Sequence, residues 1–428
     1  MKAELTDAHR RVLVIAYYFP PMGLSGVQRT LKFVKYLPQF GWAPTILTVT
    51  PTGYYAQDYS LLDELHHPGI AIERVGSLDP NRLFRRKGVV KMPSERMRKI
   101  LTAVSDTFFI PDNKIGWKNK AVKAAGALFE TGNFDVIFAT APPFTGFLIG
   151  AELAVKFRKP LVVDYRDPWH EYPYKYYPTP VHKWLNYRLE KHVLRIASRI
   201  LTTNRRVKEL ILQRFKFLGY QDVTIMPQGF DPADFSRAAS PPNRPHRMRI
   251  THAGVFYADR TPKYLFEALR ILFAEQPALR EQIEICIVGN FQDEYHDMVR
   301  EMQIEPNVVL TGYLDHPHCV DVLRGSDVLW LMLNNDRQSP GKLYEYLGAR
   351  KPILASVPDG FIRQTLAEAG GNIIVDPTDV RGHVDALARL FEEYRRHSLP
   401  QPKEEVVARY DRVELTKELA KIFGFLAE

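Results

Sequence analysis

The chain has 428 residues, 45% hydrophobic and 25% charged, which is the make-up of a soluble globular protein long enough for two domains with full cores. Its formal net charge of +9 suits an anionic ligand, an anionic membrane surface or nucleic acid, and only the placement of the charge can choose among them. Cys286 and Cys319 stand far apart with no CxxC or Cys/His cluster, so no disulfide framework or zinc site is signalled. No apolar run approaches the roughly 20 residues that span a bilayer. The opening MKAELTDAHRR is polar, without a secretory pattern. The expectation is a cytoplasmic protein whose membrane association, if any, is peripheral.

In chain order, RVLVIAYYF (residues 11–19) is a continuous apolar run of the kind that fills a parallel sheet buried on both faces. The loop PPMGLSG follows, then VQRTLKFVKYLPQF, where Val27, Leu31, Val34 and Leu37 recur at helical spacing before Gly41 and a second strand, PTILTV. This is a βαβ unit. FDVIFAT, PLVVDY, RILTTN and DVTIMP continue the strands, with helices such as VHKWLNYRLEKHVLRIAS between them. Residues 50–115 are less regular and read as an insertion. Within them, residues 81–100 (NRLFRRKGVVKMPSERMRKI) are strongly basic with apolar residues interspersed, as on a surface that touches anionic lipid, or in a solvated loop. No nucleic-acid recognition module accompanies that charge.

Residues 236–247, SRAASPPNRPHR, have the composition of a linker. A second alternation follows, with MRITHAG, IEICIVG, NVVLTGY, DVLWLML, KPILASV and NIIVD as strands, and an amphipathic tail from residue 404. The predicted architecture is α/β, with two Rossmann-like, doubly wound domains. The expected divisions are residues 1–238, 239–398 and a final segment 399–428.

The chain lacks the GxxxxGK[ST] loop, GxGxxG fingerprint, HExxH and nucleophile elbow. What remains lies at the predicted carboxyl ends of strands, where open α/β sheets hold ligands. In SPGKLYEYLGARKPIL (339–354), a helix is expected from Gly341 to Ala349, which puts Lys342 in its first turn, where a cation is disfavoured unless an anion faces it. Gly341, Glu345 and Gly348 fall on one side of that helix and Leu343 and Leu347 on the other, as a phosphate with a neighbouring diol would require. An exposed, solvated helix would look the same in this window. Gly23 and Gly26 in PPMGLSG would let a ligand approach the backbone at a helix start, or simply make a tight turn. VVDYRDPW (162–169) ends a strand in Asp164, Arg166 and Asp167, which could be a structural ion pair. AGVFYADRTPKYL (253–265) places Arg260 and Lys263 at another helix start, and Gly312 with Tyr313 ends a strand where a flat base could lie, or where the tyrosine simply packs.

YYFPPMGLSGVQRTLKFVKYLPQFGWAPTILT, DYRDPW, MPQGFDPADF, THAGVFYADRTP and SPGKLYEYLGARKPILA resemble, in order and spacing, the family-four retaining glycosyltransferases of the GT-B fold. The resemblance implies two Rossmann-like domains facing across a cleft, a nucleotide-sugar donor (UDP- or GDP-linked) held mainly by the C-terminal domain, a saccharide or lipid-linked acceptor on the N-terminal one, and a last helix crossing back to the first domain. It implies Glu345 on the donor ribose, the loop formed by Ser339, Pro340, Gly341, Lys342 and Leu343 at the diphosphate with Gly254 nearby, and Arg260 and Lys342 as its neutralising cations. It also implies Gly23 and Gly26 beneath the phosphates and Asp167 beside the transferred sugar, with no metal or other cofactor. Asp167 and His170 would position rather than attack. The chain departs from the family at Arg337, where a first glutamate is usual, and at Val255, where an arginine is common. A sugar-nucleotide epimerase on the same fold, or a non-enzymatic two-domain binding protein, would share the architecture.

Overall fold

A computed structural model describes residues 10–23, 25–51, 57–78, 95–172, 175–236, 247–256, 260–336 and 339–428. The chain forms two compact units, Met1–Gln228 with Arg412–Glu428, and Gly229–Asp411. The sequence reading divided it at 238/239 and 398/399 instead. Composition drew the first division to the proline-rich linker. Phe230, however, already belongs to the core of the second unit, and so do Val406 and Val407 near the other end.

The first unit is built on seven strands, β1 (Arg10–Ile15), β2 (Trp42–Val49), β3 (Ala71–Val75), β4 (Val136–Ala141), β5 (Leu161–Tyr165), β6 (Arg199–Thr202) and β7 (Val223–Ile225). They pair in parallel in the order β3-β2-β1-β4-β5-β6-β7. Six of these coincide with apolar runs in the sequence. The exception is β3, which lies in the stretch read as irregular. Its sequence AIERV carries two charges because it is an edge strand with half-exposed residues, so neither a buried run nor a clean alternation marks it. That stretch also supplies the helix Glu95–Phe108. Residues 81–94 of the basic segment lie outside the described residues. The C-terminal helix Arg412–Leu426 buries Leu419 and Phe423 in this unit, where the Phe423 ring meets Trp42 and Phe138 edge-on at 5.3 and 5.6 Å.

The second unit has six parallel strands, β8 (Met248–Ala253), β9 (Ile283–Val288), β10 (Val308–Gly312), β11 (Val328–Met332), β12 (Ile353–Ser356) and β13 (Asn372–Val375), in the order β10-β9-β8-β11-β12-β13. Helices cover both faces, with Leu269, Leu272 and Leu387 on one and Leu343, Leu347 and Leu366 on the other. In each sheet the strand order reverses once, between β1 and β4 and between β8 and β11. A crevice opens at such a point because the connections on either side leave in opposite directions.

One buried charge pair anchors the first unit. Arg29, on the helix Ser25–Tyr36, donates to both oxygens of Asp164 at 2.7 to 3.1 Å, and to the carbonyls of Met226 and Pro227 at 3.0 and 2.6 Å. Thr140 donates a further bond to Asp164 at 3.0 Å. Both charged side chains are essentially inaccessible to water. Removing one partner strands the other without solvent, so Arg29→Met should lower unfolding free energy by about 3–5 kcal/mol, read from urea midpoints. A loss below about 1 kcal/mol would show that the pair is not an anchor.

Candidate functional site

The reversal point of the second sheet collects most of the residues singled out in the sequence. Strand β8 ends at Ala253 with Gly254 next, and the helix Gly341–Gly348 is the element that follows β11 in the chain. Tyr346 ties the two together, since its hydroxyl accepts the Ala253 N–H at 2.9 Å. Burial pushes the Tyr346 phenol well above its ordinary range, which keeps it neutral for that role. A methyl group placed on Gly254 would stand 3.2 Å from Lys342 Cε and 3.1 Å from His252 Nε2, so the lysine stem and the imidazole meet over this glycine. The strand ends are drawn together further. Gly254 donates to the Val288 carbonyl and Gly289 to that of Gly312, both at 2.8 Å. A Cβ on Gly289, at φ +134°, would lie 2.4 Å from the Gly254 oxygen, so no other residue fits there without moving the loop.

Lys342 occupies the first turn of its helix as expected, half-buried. Among the described residues it has no carboxylate partner. The carboxylate of Glu345, one turn further on and also half-buried, likewise has no hydrogen-bond or ion-pair partner among them. The two are close enough along the helix to pair with each other, and they do not. Ser339 is buried with its hydroxyl 3.1 Å from that of Tyr344, which fixes the loop ahead of the helix. Pro340 is the residue before the first turn, and its carbonyl takes the Leu343 N–H at 3.2 Å. Leu343 itself lies in the core. The first-turn amides open to an anion are therefore those of Gly341 and Lys342.

Of the side shared by Gly341, Glu345 and Gly348, only part faces outward. Gly341 is half-exposed, whereas Gly348 packs against Phe230 and Phe235, where a Cβ would come within 2.6 Å of the Phe230 ring. That glycine serves packing, which helical periodicity alone could not distinguish from clearance for a ligand.

The sequence reading passed over His252. Its Nδ1 donates to the Trp330 carbonyl at 3.0 Å and its ring stacks on Phe256 at 4.6 Å. Burial lowers its pKa to about 3, against the backbone hydrogen bond, and the charges of Lys342 and Arg260 push in the same direction as burial. The imidazole is therefore neutral, with the Nε2 lone pair turned to the same corner as Lys342. Arg260 is half-buried, ahead of the helix Lys263–Glu275. Lys263 is different. It is exposed at the start of the helix Lys263–Glu275, with Glu267 of the same helix 3.7 Å away. Gly312 ends β10, two strands from β8, and half-buried Tyr313 follows it. Val255 follows Gly254 half-buried, and Arg337 lies outside the described residues.

In the first unit, Gly23 is buried and Gly26 opens the helix after β1, at the reversal point of that sheet. Asp164 and Arg166 do not pair with each other. Asp164 binds Arg29, and Arg166 donates to the carbonyls of Gly26 and Pro142, which joins the glycine loop to the end of β4. Asp167 follows in the same loop, half-buried. His170 is buried, and burial, with Arg214 and Lys183 nearby, lowers its pKa to about 4.

Behind this loop lies a carboxyl group that the sequence did not mark. Glu190 accepts a 3.2 Å hydrogen bond from the Tyr165 hydroxyl, and burial, reinforced by Glu171, raises its pKa to about 8. A glutamate in the unfolded chain releases its proton near 4.5. Between those values the folded state holds the extra proton, so Glu190 lowers stability progressively as pH rises from about 4.5 to about 8. Glu190→Gln should flatten this part of the stability profile and make the variant the more stable form at pH 8, as urea midpoints at several pH values would show. Parallel profiles for the two proteins would contradict the assignment.

Comparison with known proteins bears on the family and the fold. The family model described as Glycosyltransferase Family 4 matches residues 25–234, and that described as Glycosyl transferases group 1 matches residues 238–405. No curated protein matches the chain significantly in sequence. Among solved structures, sucrose-phosphate synthase from Thermosynechococcus elongatus is similar at a TM-score of 0.66 and 15% identity, covering 98% of this chain and 99% of its own. HepE from Anabaena, solved with UDP and glucose, gives 0.65 and 14%, covering 97% and 100%. A protein described as a UDP-N-acetylglucosamine 2-epimerase from Listeria monocytogenes gives 0.56 and 13%, covering 96% and 94%. At these identities the structural likenesses establish the fold.

Proposed function

We propose, for a chain that belongs to the family-four glycosyltransferases of the GT-B fold, that the sugar is moved from a nucleoside-diphosphate donor held by the second unit. The observation that carries this reading is Lys342, a half-buried cation in a helix first turn, without a carboxylate partner among the described residues, beside the similarly unpartnered Glu345. A diphosphate would meet Lys342, Arg260 and the amides of Gly341 and Lys342, while Glu345 would accept hydrogen bonds from the ribose hydroxyls. Gly254 and the Gly289–Gly312 contact would leave room for the phosphates, and Tyr313 would flank the base. HepE, with UDP and glucose, favours a UDP-linked donor, with a GDP-linked one as the other choice to assay.

Transfer forms a bond from an acceptor hydroxyl oxygen to the anomeric carbon and breaks the bond from that carbon to the β-phosphate. Negative charge gathers on the departing diphosphate. Lys342, Arg260 and the helix amides stabilise it there, and this reading calls on no metal. In the retaining course proposed here, the acceptor approaches from the leaving-group side and its proton passes to a diphosphate oxygen. Asp167 and His170, on the first unit with the proposed acceptor, would orient groups; His170 is neutral near pH 7 and suited to hydrogen bonding. The acceptor is proposed to be a saccharide or lipid-linked saccharide at the cytoplasmic face of a membrane, in polysaccharide or glycolipid synthesis. The described residues contain no helix long and apolar enough to cross a membrane. An epimerase on this fold would act on the nucleotide sugar without an acceptor, so acceptor-dependent release of the nucleoside diphosphate separates the two.

A saturating nucleoside diphosphate at about 100 times Kd should add about 2.7 kcal/mol to folding stability. Glu345→Ala should lose most of that thermal shift. Lys342→Ala should lower kcat/KM by about 100-fold or more. A folded wild-type chain that shifts with none of UDP, GDP or ADP would overturn the donor assignment.

A further inference from the structure

The helix Glu95–Phe108 presents an apolar side to solvent. Met97, Ile100, Leu101, Val104 and Phe108 are all exposed, Phe108 by 76%. At about 100° per residue these five fall within an arc of about 100°. Asp106 sits diametrically opposite and is buried, accepting the Lys175 ammonium at 2.6 Å and the Tyr176 backbone N–H at 2.9 Å. The helix is therefore mounted by its polar side. Its last turn adjoins a second helix, Pro180–Ile196, because a ring nitrogen of His182 lies 3.1 Å from the Thr107 carbonyl. Tyr176, Val181 and Trp184 are each at least half exposed at this junction and extend the apolar surface.

The surroundings are cationic. Lys183, Arg188 and Arg195 on the second helix are exposed, and the Arg188 guanidinium lies 4.9 Å over the Trp184 ring. The acid of that helix, Glu190, is buried and held protonated to about pH 8. In sequence, residues 81–100 carry eight Lys or Arg against one Glu, and 81–94 of them lie outside the described residues. We propose that this face rests in the headgroup region of a membrane containing anionic phospholipid. An apolar stripe with a basic rim and interfacial Trp and Tyr residues suits a lipid surface, which supplies acyl chains beneath and negative charge around them. A second copy docked on the same face would set two basic rims against each other. The inference extends the peripheral-membrane part of the proposed function and is independent of the donor site.

The test is cosedimentation with vesicles of phosphatidylcholine alone or with about one-third phosphatidylglycerol. The wild-type chain should bind the anionic vesicles and not the neutral ones. A chain carrying Leu101→Glu, Val104→Glu and Phe108→Glu should bind at least about ten-fold more weakly while keeping its melting temperature and its nucleotide-diphosphate shift. Trp184→Ala, a single change at an exposed site, should weaken binding in the same sense and serves if the triple variant does not fold. If the triple variant binds like wild type, the stripe is not the contact even though the protein is peripheral. If wild type binds neither vesicle, the membrane reading falls with it, and if light scattering shows a dimer that the triple variant abolishes, the occupant is a second copy and the proposal is wrong.

Discussion

Lys342 stands where the helix Gly341–Gly348 already presents unpaired N–H groups, and a cation in that first turn raises the energy of the folded chain by about 0.3–1 kcal/mol. The cost stands because the surrounding elements hold the lysine in place. Tyr346 fastens the helix to β8, the glycine at position 254 admits the lysine stem, and Ser339 and Tyr344 fix the incoming loop. His252 adds no compensation, since burial keeps it neutral. An anionic ligand would relieve the arrangement, and the donor proposed above would supply one in its diphosphate.

The first unit uses the same strand-order reversal differently. Its conspicuous charges are satisfied internally, Arg29 with Asp164 and Arg166 with the carbonyls of Gly26 and Pro142. Those bonds make the glycine loop part of a rigid frame. Beside it, Glu190 and Tyr165 form a buried pair that stays neutral at physiological pH, so the loop carrying Asp167 and His170 is backed by polar groups without a net charge. Frame in one unit and uncompensated charge in the other are what a division between positioning and donor binding would require.

Most of the strands were legible because strands buried on both faces are largely apolar, as in β11 (VLWLM) and the VLVI part of β1. Strand β3 was not, since an edge strand can carry Glu73 and Arg74. Lys342 and Glu345 were legible because their spacing on a helix and their conflict with its dipole are local properties. The partners of Asp164 and Arg166 were not, because Arg29 lies 135 residues from Asp164 and backbone carbonyls leave no mark in a sequence. The role of Gly348 was misread for the same reason: clearance for a ligand and clearance for Phe230 look alike until the chain is folded. His252 went unnoticed because one histidine at a strand end becomes informative only when its tautomer is set by the Trp330 carbonyl and its neighbours are known.

The most direct measurement is a crystal structure of the full chain with whichever nucleoside diphosphate stabilises it. The account predicts phosphate oxygens within hydrogen-bond distance of Lys342 Nζ and the Gly341 and Lys342 amides, with the ribose hydroxyls on Glu345. A nucleotide bound elsewhere, with Lys342 and Glu345 facing only solvent, would contradict it.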